Sequence, residues 1–234
     1  MRKPPPGFVG AFRNSLPMTD ALNRCRLVLI APQGLAPDDL ERKLRQALEG
    51  GDVASLILPA YDLHETAFQE LAERLTPVAQ AAGVAVVMAG DTRIAARVKA
   101  DGVHVDEGKA ALADAIDRLQ DKMMVGAGGV KTRDDALELG ETRPDYMFFG
   151  RFGYDNTPEP HPRNLNLAQW WAEMIEIPCI VLGGSQVESV QAAAETGAEF
   201  VALSAAVFAD GLDPREQVGR ANSLLDQKAP RFED

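Results

Sequence analysis

Residues 177–204 read IPCIVLGGSQVESVQAAAETGAEFVALS, and the pattern in this stretch decides the predicted fold. Two short apolar runs, at 179–182 and 200–203, flank a segment with helical periodicity. Gly197 follows that segment, at a position where a left-handed helix cap favours glycine. Short, continuously apolar runs are typical of strands that are buried on both faces of a parallel sheet. The stretch therefore predicts one strand–helix–strand unit.

The same alternation recurs through most of the chain. Eight apolar runs occur, at residues 25–30, 53–58, 84–88, 102–105, 123–126, 146–149, 179–182 and 200–203. Segments with helical periodicity lie between them, for example at residues 37–48, 65–81, 110–119, 133–139, 167–175 and 187–195. Eight such units in 234 residues predict a single (β/α)8 TIM barrel. An open doubly wound sheet is the alternative, but the loop after the first run, residues 31–34 (APQG), lacks the GxGxxG pattern of that fold.

The predicted barrel spans residues 21–228. A flexible N-terminal arm at 1–20 precedes it and a C-terminal tail at 229–234 follows it. Proline and glycine interrupt the arm too often for a secretory signal, and no apolar stretch approaches the roughly 18 residues of a membrane span. Cys25 and Cys179 lie in predicted strands, so free buried thiols in a reducing compartment are expected. We therefore expect a cytoplasmic protein.

The charge balance limits the classes of partner. The chain has 35 acidic and 24 basic residues, which gives a formal net charge of −11. Binding of nucleic acid or of a membrane surface is disfavoured, because both require clustered basic side chains. A small phosphorylated ligand remains compatible with this charge, since backbone N–H groups bind phosphate without any net positive charge.

The loops after the seventh and eighth runs predict a phosphate site. Gly183 and Gly184 follow the seventh run, and Ser204 and Ala205 follow the eighth. Barrel enzymes often hold phosphate on these two loops, where glycine allows close approach and a helix start supplies free N–H groups. The alternative is that the paired glycines only make a tight turn.

A long irregular segment, predicted at residues 151–164, follows the sixth run. It contains three prolines and two arginines, and long loops inside a compact domain are usually functional or disordered. We predict that this segment is a lid. Arg151 at its start is a candidate clamp for phosphate or carboxylate, with a surface ion pair as the alternative.

Four segments resemble the thiamine-phosphate synthase family, which includes the related thiazole tautomerase. They are residues 100–105 (ADGVHV), 144–150 (PDYMFFG), 177–184 (IPCIVLGG) and 196–204 (TGAEFVALS). The resemblance covers about residues 25–210. It implies a transferase of thiamine biosynthesis that joins a pyrimidine diphosphate to a thiazole phosphate and releases pyrophosphate, with Mg²⁺ on the diphosphate. It also allows a homo-oligomer.

The resemblance assigns roles to individual residues. Gly183, Gly184 and Ser204 match the family's phosphate-binding positions, and His104 lies in its fourth-strand motif. Asp91 matches one metal-binding aspartate when a one-residue gap is allowed. Lys109 stands at the second, with Asp106 and Glu107 close by, so the predicted Mg²⁺ ligands are Asp91, Asp106 and Glu107.

The chain departs from the family pattern where the diphosphate binds. The family's Gln-x-Arg-x-Lys becomes the uncharged stretch SLILP at 55–59, and its Thr-x-Thr-Lys becomes DNTP at 155–158. Departure of a diphosphate requires nearby cations, and we expect Arg151 to neutralise the developing charge.

Two other functions remain open at this stage. One is a tautomerase or isomerase without metal, with His104 or an acidic residue as general base. The other is a non-catalytic barrel that binds a phosphorylated metabolite. Strand alternation alone leaves open whether His104 faces a ligand or is a core residue.

Overall fold

The eight apolar runs form eight parallel strands that close on themselves. The computed structural model describes residues 23–232. Its strands are β1 (Arg26–Ile30), β2 (Ser55–Pro59), β3 (Ala85–Ala89), β4 (Gly102–Val105), β5 (Met124–Ala127), β6 (Tyr146–Phe149), β7 (Cys179–Leu182) and β8 (Phe200–Leu203). Each strand pairs with the next, and β8 pairs with β1. The predicted (β/α)8 barrel is therefore confirmed.

Helices connect the strands and cover the outside of the barrel. They are α1 (Pro37–Leu48), α2 (Glu65–Ala81), α3 (Thr92–Val98), α4 (Lys109–Leu119), α5 (Arg133–Gly140), α6 (Pro162–Met174), α7 (Val190–Glu195), α8 (Ala205–Phe208) and α9 (Pro214–Lys228). Local sequence explains several starts. Pro37 opens α1 with a fixed φ, and Thr132 with Asp135 forms a capping box at α5.

Helix α6 begins five residues earlier than the periodicity predicts. Pro162 occupies its first turn, and the His161 ring accepts a hydrogen bond from the Arg163 N–H at 3.1 Å. This cap forms because proline is preorganised at a helix start. The irregular segment after β6 therefore ends at residue 161, and residues 151–161 are called the β6–α6 segment below.

The inside of the barrel is filled by large side chains of β6. Along this strand, Tyr146 and Phe148 point inward, while Phe149 packs outward against Trp171 with ring centroids 5.8 Å apart. Gly126 on the neighbouring strand β5 leaves space for the Tyr146 ring, which a Cβ at position 126 would overlap. The interior is thus a packed core, as barrels of this size require.

Helix α9 packs on the outside of the barrel, and the residues before β1 and after α9 are joined to it and to each other. The buried Arg24 side chain donates to Asp226 at 2.8 Å and to Asn222 at 3.0 Å. Beyond α9, the Phe232 N–H donates to the Asn23 carbonyl at 3.2 Å, so the predicted tail pairs with the residues before β1 as far as residue 232. The predicted arm at 1–20 lies outside the described residues.

Two sequence expectations concern the chain's surroundings. Cys25 and Cys179 are both buried and form no disulfide bond with each other, as predicted. Within residues 23–232, none of the helices combines the length and the apolar character that crossing a membrane demands.

We expect Gly126→Ala to destabilise the fold by about 1–3 kcal/mol, because the added methyl group meets the buried Tyr146 ring. Urea unfolding of the variant and the wild type measures the difference. In a Tyr146→Ala background the ring is absent, so the same change at position 126 should cost far less. Equal costs in both backgrounds would show that the ring contact is not the cause.

Candidate functional site

An aromatic layer around His104 forms the floor of the barrel mouth. His104 points inward from β4 and is 4% exposed, and its Nδ1 lies 2.9 Å from the Tyr146 hydroxyl. The Phe148 ring meets the imidazole edge-on, with centroids 5.6 Å apart. Burial lowers the pKa of His104 to about 3, so the imidazole is neutral at physiological pH. His104 is therefore both a core residue and the floor of the site.

Phe152 covers this floor, and Tyr61 lies in a neighbouring loop at the mouth. Phe152, from the β6–α6 segment, stacks on Phe148 with centroids 5.0 Å apart and lies 5.1 Å from the His104 ring. Tyr61, from the loop after β2, donates its hydroxyl to the Ala31 carbonyl at 3.0 Å. Tyr61 also has a φ of 45°, a conformation that is uncommon for an aromatic residue. Sequence reasoning missed both residues, because the contacts of Phe152 with His104 and of Tyr61 with Ala31 join parts of the chain that are distant in sequence.

The glycines predicted to bind phosphate have their N–H groups engaged within the chain. The Gly183 N–H donates to the Ala202 carbonyl at 2.8 Å, as part of the barrel hydrogen bonding. The Gly184 N–H donates to the buried Ser189 hydroxyl at 2.9 Å. Neither donor is available to a ligand in this arrangement.

The neighbouring amides are engaged by the β6–α6 segment. The Ser185 N–H donates to the Thr157 carbonyl at 2.7 Å. The Ala205 N–H donates to the Asp155 carboxylate at 2.6 Å. Ser204 is buried, and its hydroxyl makes no hydrogen bond with any other residue in the described part of the chain. A phosphate site here thus stays a prediction, with the condition that the segment moves aside.

The three carboxylates predicted to hold Mg²⁺ have different surroundings. Asp91 caps α3 and accepts hydrogen bonds from the Arg93 N–H at 2.8 Å and from its guanidinium, which lowers the pKa of Asp91 to about 2. Asp106 and Glu107 are exposed neighbours at the end of β4. Partial burial and the charge of Glu107 raise the pKa of Asp106.

These surroundings decide which carboxylates fit a cation. Residues 23–232 hold no group of three or more His, Cys, Asp or Glu side chains placed to bind a metal. Asp106 and Glu107 fit a hydrated Mg²⁺, which usually takes one or two protein carboxylates and keeps several waters. Asp91 does not fit while Arg93 holds both of its oxygens.

Arg151 lies at the rim of the mouth, at the start of the β6–α6 segment. Its guanidinium lies 4.1 Å from the centre of the Tyr154 ring, and its charge opposes the rise in the pKa of Asp106. The loops after β4 and β6 are therefore neighbours. This placement is compatible with the predicted clamp, which remains a prediction.

Comparison with known proteins places the chain in a family. The family described as thiamine monophosphate synthase matches residues 27–207, from β1 to α8. The chain belongs to this family. A thiamine-phosphate synthase of Rhodospirillum centenum is 33% identical over 209 residues, covering 89% of this chain and 99% of the relative. One from Hyphomonas neptunium is 32% identical over 223 residues, covering 91% and 100%.

A solved structure supports the fold of this family member. Thiamine phosphate pyrophosphorylase from Pyrococcus furiosus superposes with a TM-score of 0.72 at 20% identity, covering 88% of this chain and 98% of that structure. The family resemblance read from the four sequence segments is thus confirmed.

We expect the stability of the protein to fall as the pH is lowered, because the folded state keeps His104 neutral. The unfolded imidazole takes up a proton below pH 6.5, whereas the folded one does so only near pH 3. This group alone should lower the free energy of unfolding by about 2 kcal/mol between pH 7 and pH 5.

Urea unfolding at the two pH values measures this loss. His104→Gln keeps a polar side chain but has no proton to gain, so it serves as the control. The variant should lose about 2 kcal/mol less than the wild type over the same interval. Equal losses would show that His104 is accessible to protons in the folded state.

Proposed function

We propose that this chain is a transferase that joins a pyrimidine diphosphate to a thiazole phosphate and releases pyrophosphate. The observation that carries the proposal is the extent of the family match, which includes every strand of the barrel. The two relatives described above are named thiamine-phosphate synthase, and the match covers nearly the whole length of each. Neither an isomerase nor a non-catalytic binding barrel has comparable support.

The loops after β7 and β8 are the proposed site of the thiazole phosphate. Gly183 and Gly184 keep this wall free of side chains, and the Ser204 hydroxyl has no competing hydrogen bond among residues 23–232. The Ala205 N–H next to it is a second donor once Asp155 has left. Two adjacent donors suit phosphoryl oxygens, which accept several hydrogen bonds.

The opposite part of the mouth is the proposed site of the diphosphate. Asp106 and Glu107 would hold Mg²⁺, which when bound supplies positive charge against the departing pyrophosphate. Basic side chains of the protein would also supply positive charge against the departing pyrophosphate. Arg151 and Lys131 are exposed in the loops after β6 and β5, whereas Arg93 is committed to Asp91.

His104 is proposed to position the substrate rings rather than to transfer protons. A general base works best when its pKa lies near the working pH, and the pKa of His104 is far below that. Its Nδ1 is engaged by Tyr146, and a Cβ on Gly128 would lie 2.6 Å from Nε2. The imidazole is therefore fixed from both sides, as a rigid floor requires.

We expect thiamine phosphate to form when the protein is mixed with the pyrimidine diphosphate, the thiazole phosphate and Mg²⁺. Chromatography of the mixture measures the product, and chelation of Mg²⁺ should reduce it to background because the leaving group then lacks its counter-charge. Omission of either substrate is the control. Absence of product at every Mg²⁺ concentration would contradict the transferase and favour the binding barrel.

We expect Arg151→Gln to lower kcat/KM by about 10- to 100-fold, because a guanidinium near the diphosphate stabilises charge that develops in the transition state. Steady-state kinetics at saturating Mg²⁺ measures the loss. Arg42→Gln is the matched control, since Arg42 is an exposed α1 residue paired with Asp39. Similar losses in the two variants would remove Arg151 from the site.

A further inference from the structure

We infer that Asp155 is a resident competitor of the substrate phosphate, and that the β6–α6 segment must withdraw before a phosphorylated ligand binds. This inference rests on the proposed function, because it places the phosphate on the loops after β7 and β8. The inference adds that the Asp155 carboxylate occupies the proposed phosphate site when no ligand is bound. In this arrangement the segment is a closed lid.

The contacts of Asp155 carry the inference. Its carboxylate accepts from the Ala205 N–H at 2.6 Å, next to the uncommitted Ser204 hydroxyl. Most residues of the β6–α6 segment are exposed, yet Asp155 is only 6% exposed. A carboxylate oxygen accepting from a backbone N–H is chemically close to a phosphoryl oxygen in the same position.

The charge of Asp155 is not paired with any cation among residues 23–232. No Lys, Arg or His side chain in the described part of the chain forms an ion pair or a hydrogen bond with it. The charge of Asp155 acts on Tyr61, whose pKa is raised by burial and by this charge. Burial of a carboxylate without a cation is costly, so this contact is held in place by other interactions.

Three other contacts hold the segment over the mouth. Phe152 stacks on Phe148, and the Ser185 N–H donates to the Thr157 carbonyl. The Gly184 backbone touches the Pro158 carbonyl so closely that a side chain at position 184 would overlap it. Withdrawal of the segment therefore frees the Ala205 N–H and uncovers the His104 floor in one movement.

Because of this coupling, binding of a phosphate and binding of a substrate ring on the His104 floor both require withdrawal of the segment. A phosphoryl group that displaces Asp155 also favours the open segment, in which Phe152 no longer covers the floor. The free protein then binds a phosphate ligand only in the fraction of molecules with an open segment, which weakens the apparent affinity by that fraction.

Removal of the Asp155 carboxylate tests the inference. Titration calorimetry gives the dissociation constants of inorganic phosphate and of thiazole phosphate for the wild type, Asp155→Asn and Asp155→Ala. Both variants should bind about tenfold more tightly than the wild type, because the competing anion is gone. The near-isosteric asparagine keeps the test valid if the alanine variant folds poorly.

Glu159→Gln is the matched control. It removes the same charge from the same segment, but Glu159 is exposed and its carboxylate makes no hydrogen bond with the rest of residues 23–232. Its dissociation constants should equal those of the wild type. A second readout is the ¹⁵N–¹H signal of Ala205, which should move on phosphate addition and start from a shifted position in Asp155→Asn.

The outcomes separate the inference from the function on which it rests. Phosphate binding by the wild type that is unchanged or weakened in both Asp155 variants overturns the competitor role and leaves the phosphate site intact. An equal gain in Glu159→Gln also overturns it, since the effect is then one of net charge. Failure of every protein to bind phosphate overturns both the inference and the proposed phosphate site.

Discussion

The structure depends on how the inside of a closed eight-stranded sheet is filled. A large side chain on one strand must face a small one on the neighbouring strand, because the interior is closely packed. Gly126 on β5 therefore stands against Tyr146 on β6, and Tyr146 in turn holds the His104 ring through its hydroxyl. The floor of the mouth is rigid for this reason, and the imidazole that forms it is neutral because water is excluded from it.

A rigid, neutral floor leaves charge recognition to the loops. Two loops with small residues, after β7 and β8, offer backbone donors, and the loops after β4 and β6 bring carboxylates and Arg151 together. The β6–α6 segment is itself the loop after β6, and its Thr157 carbonyl and Asp155 carboxylate accept from the Ser185 and Ala205 N–H groups of the loops after β7 and β8. One segment thus controls access to the floor and to the donors, which a mouth with independently mobile loops would not achieve.

The sequence predicts this fold well because its signals are local. Short apolar runs and helical periodicity are properties of neighbouring residues, so β4, β6, β7 and β8 have the predicted bounds. The start of α6 was missed because a proline cap outweighs periodicity there. The site is harder to predict from the sequence, because the contacts of Asp155 and Tyr61 depend on which loops meet at the mouth of the barrel. Asp155 did carry a signal, as a carboxylate where the family pattern has threonine.

Two loops at the mouth, after β2 and after β6, bring Tyr61 and Asp155 together. Tyr61 donates its hydroxyl to the Ala31 carbonyl, and its pKa is raised by burial and by the charge of Asp155. The loop after β6 has lost its lysine and gained the carboxylate that Tyr61 faces. A lysine or arginine in place of Tyr61 would form an ion pair with the buried Asp155 and hold the segment over the mouth. Tyr61 is instead uncharged, so the Asp155 carboxylate remains displaceable by another anion.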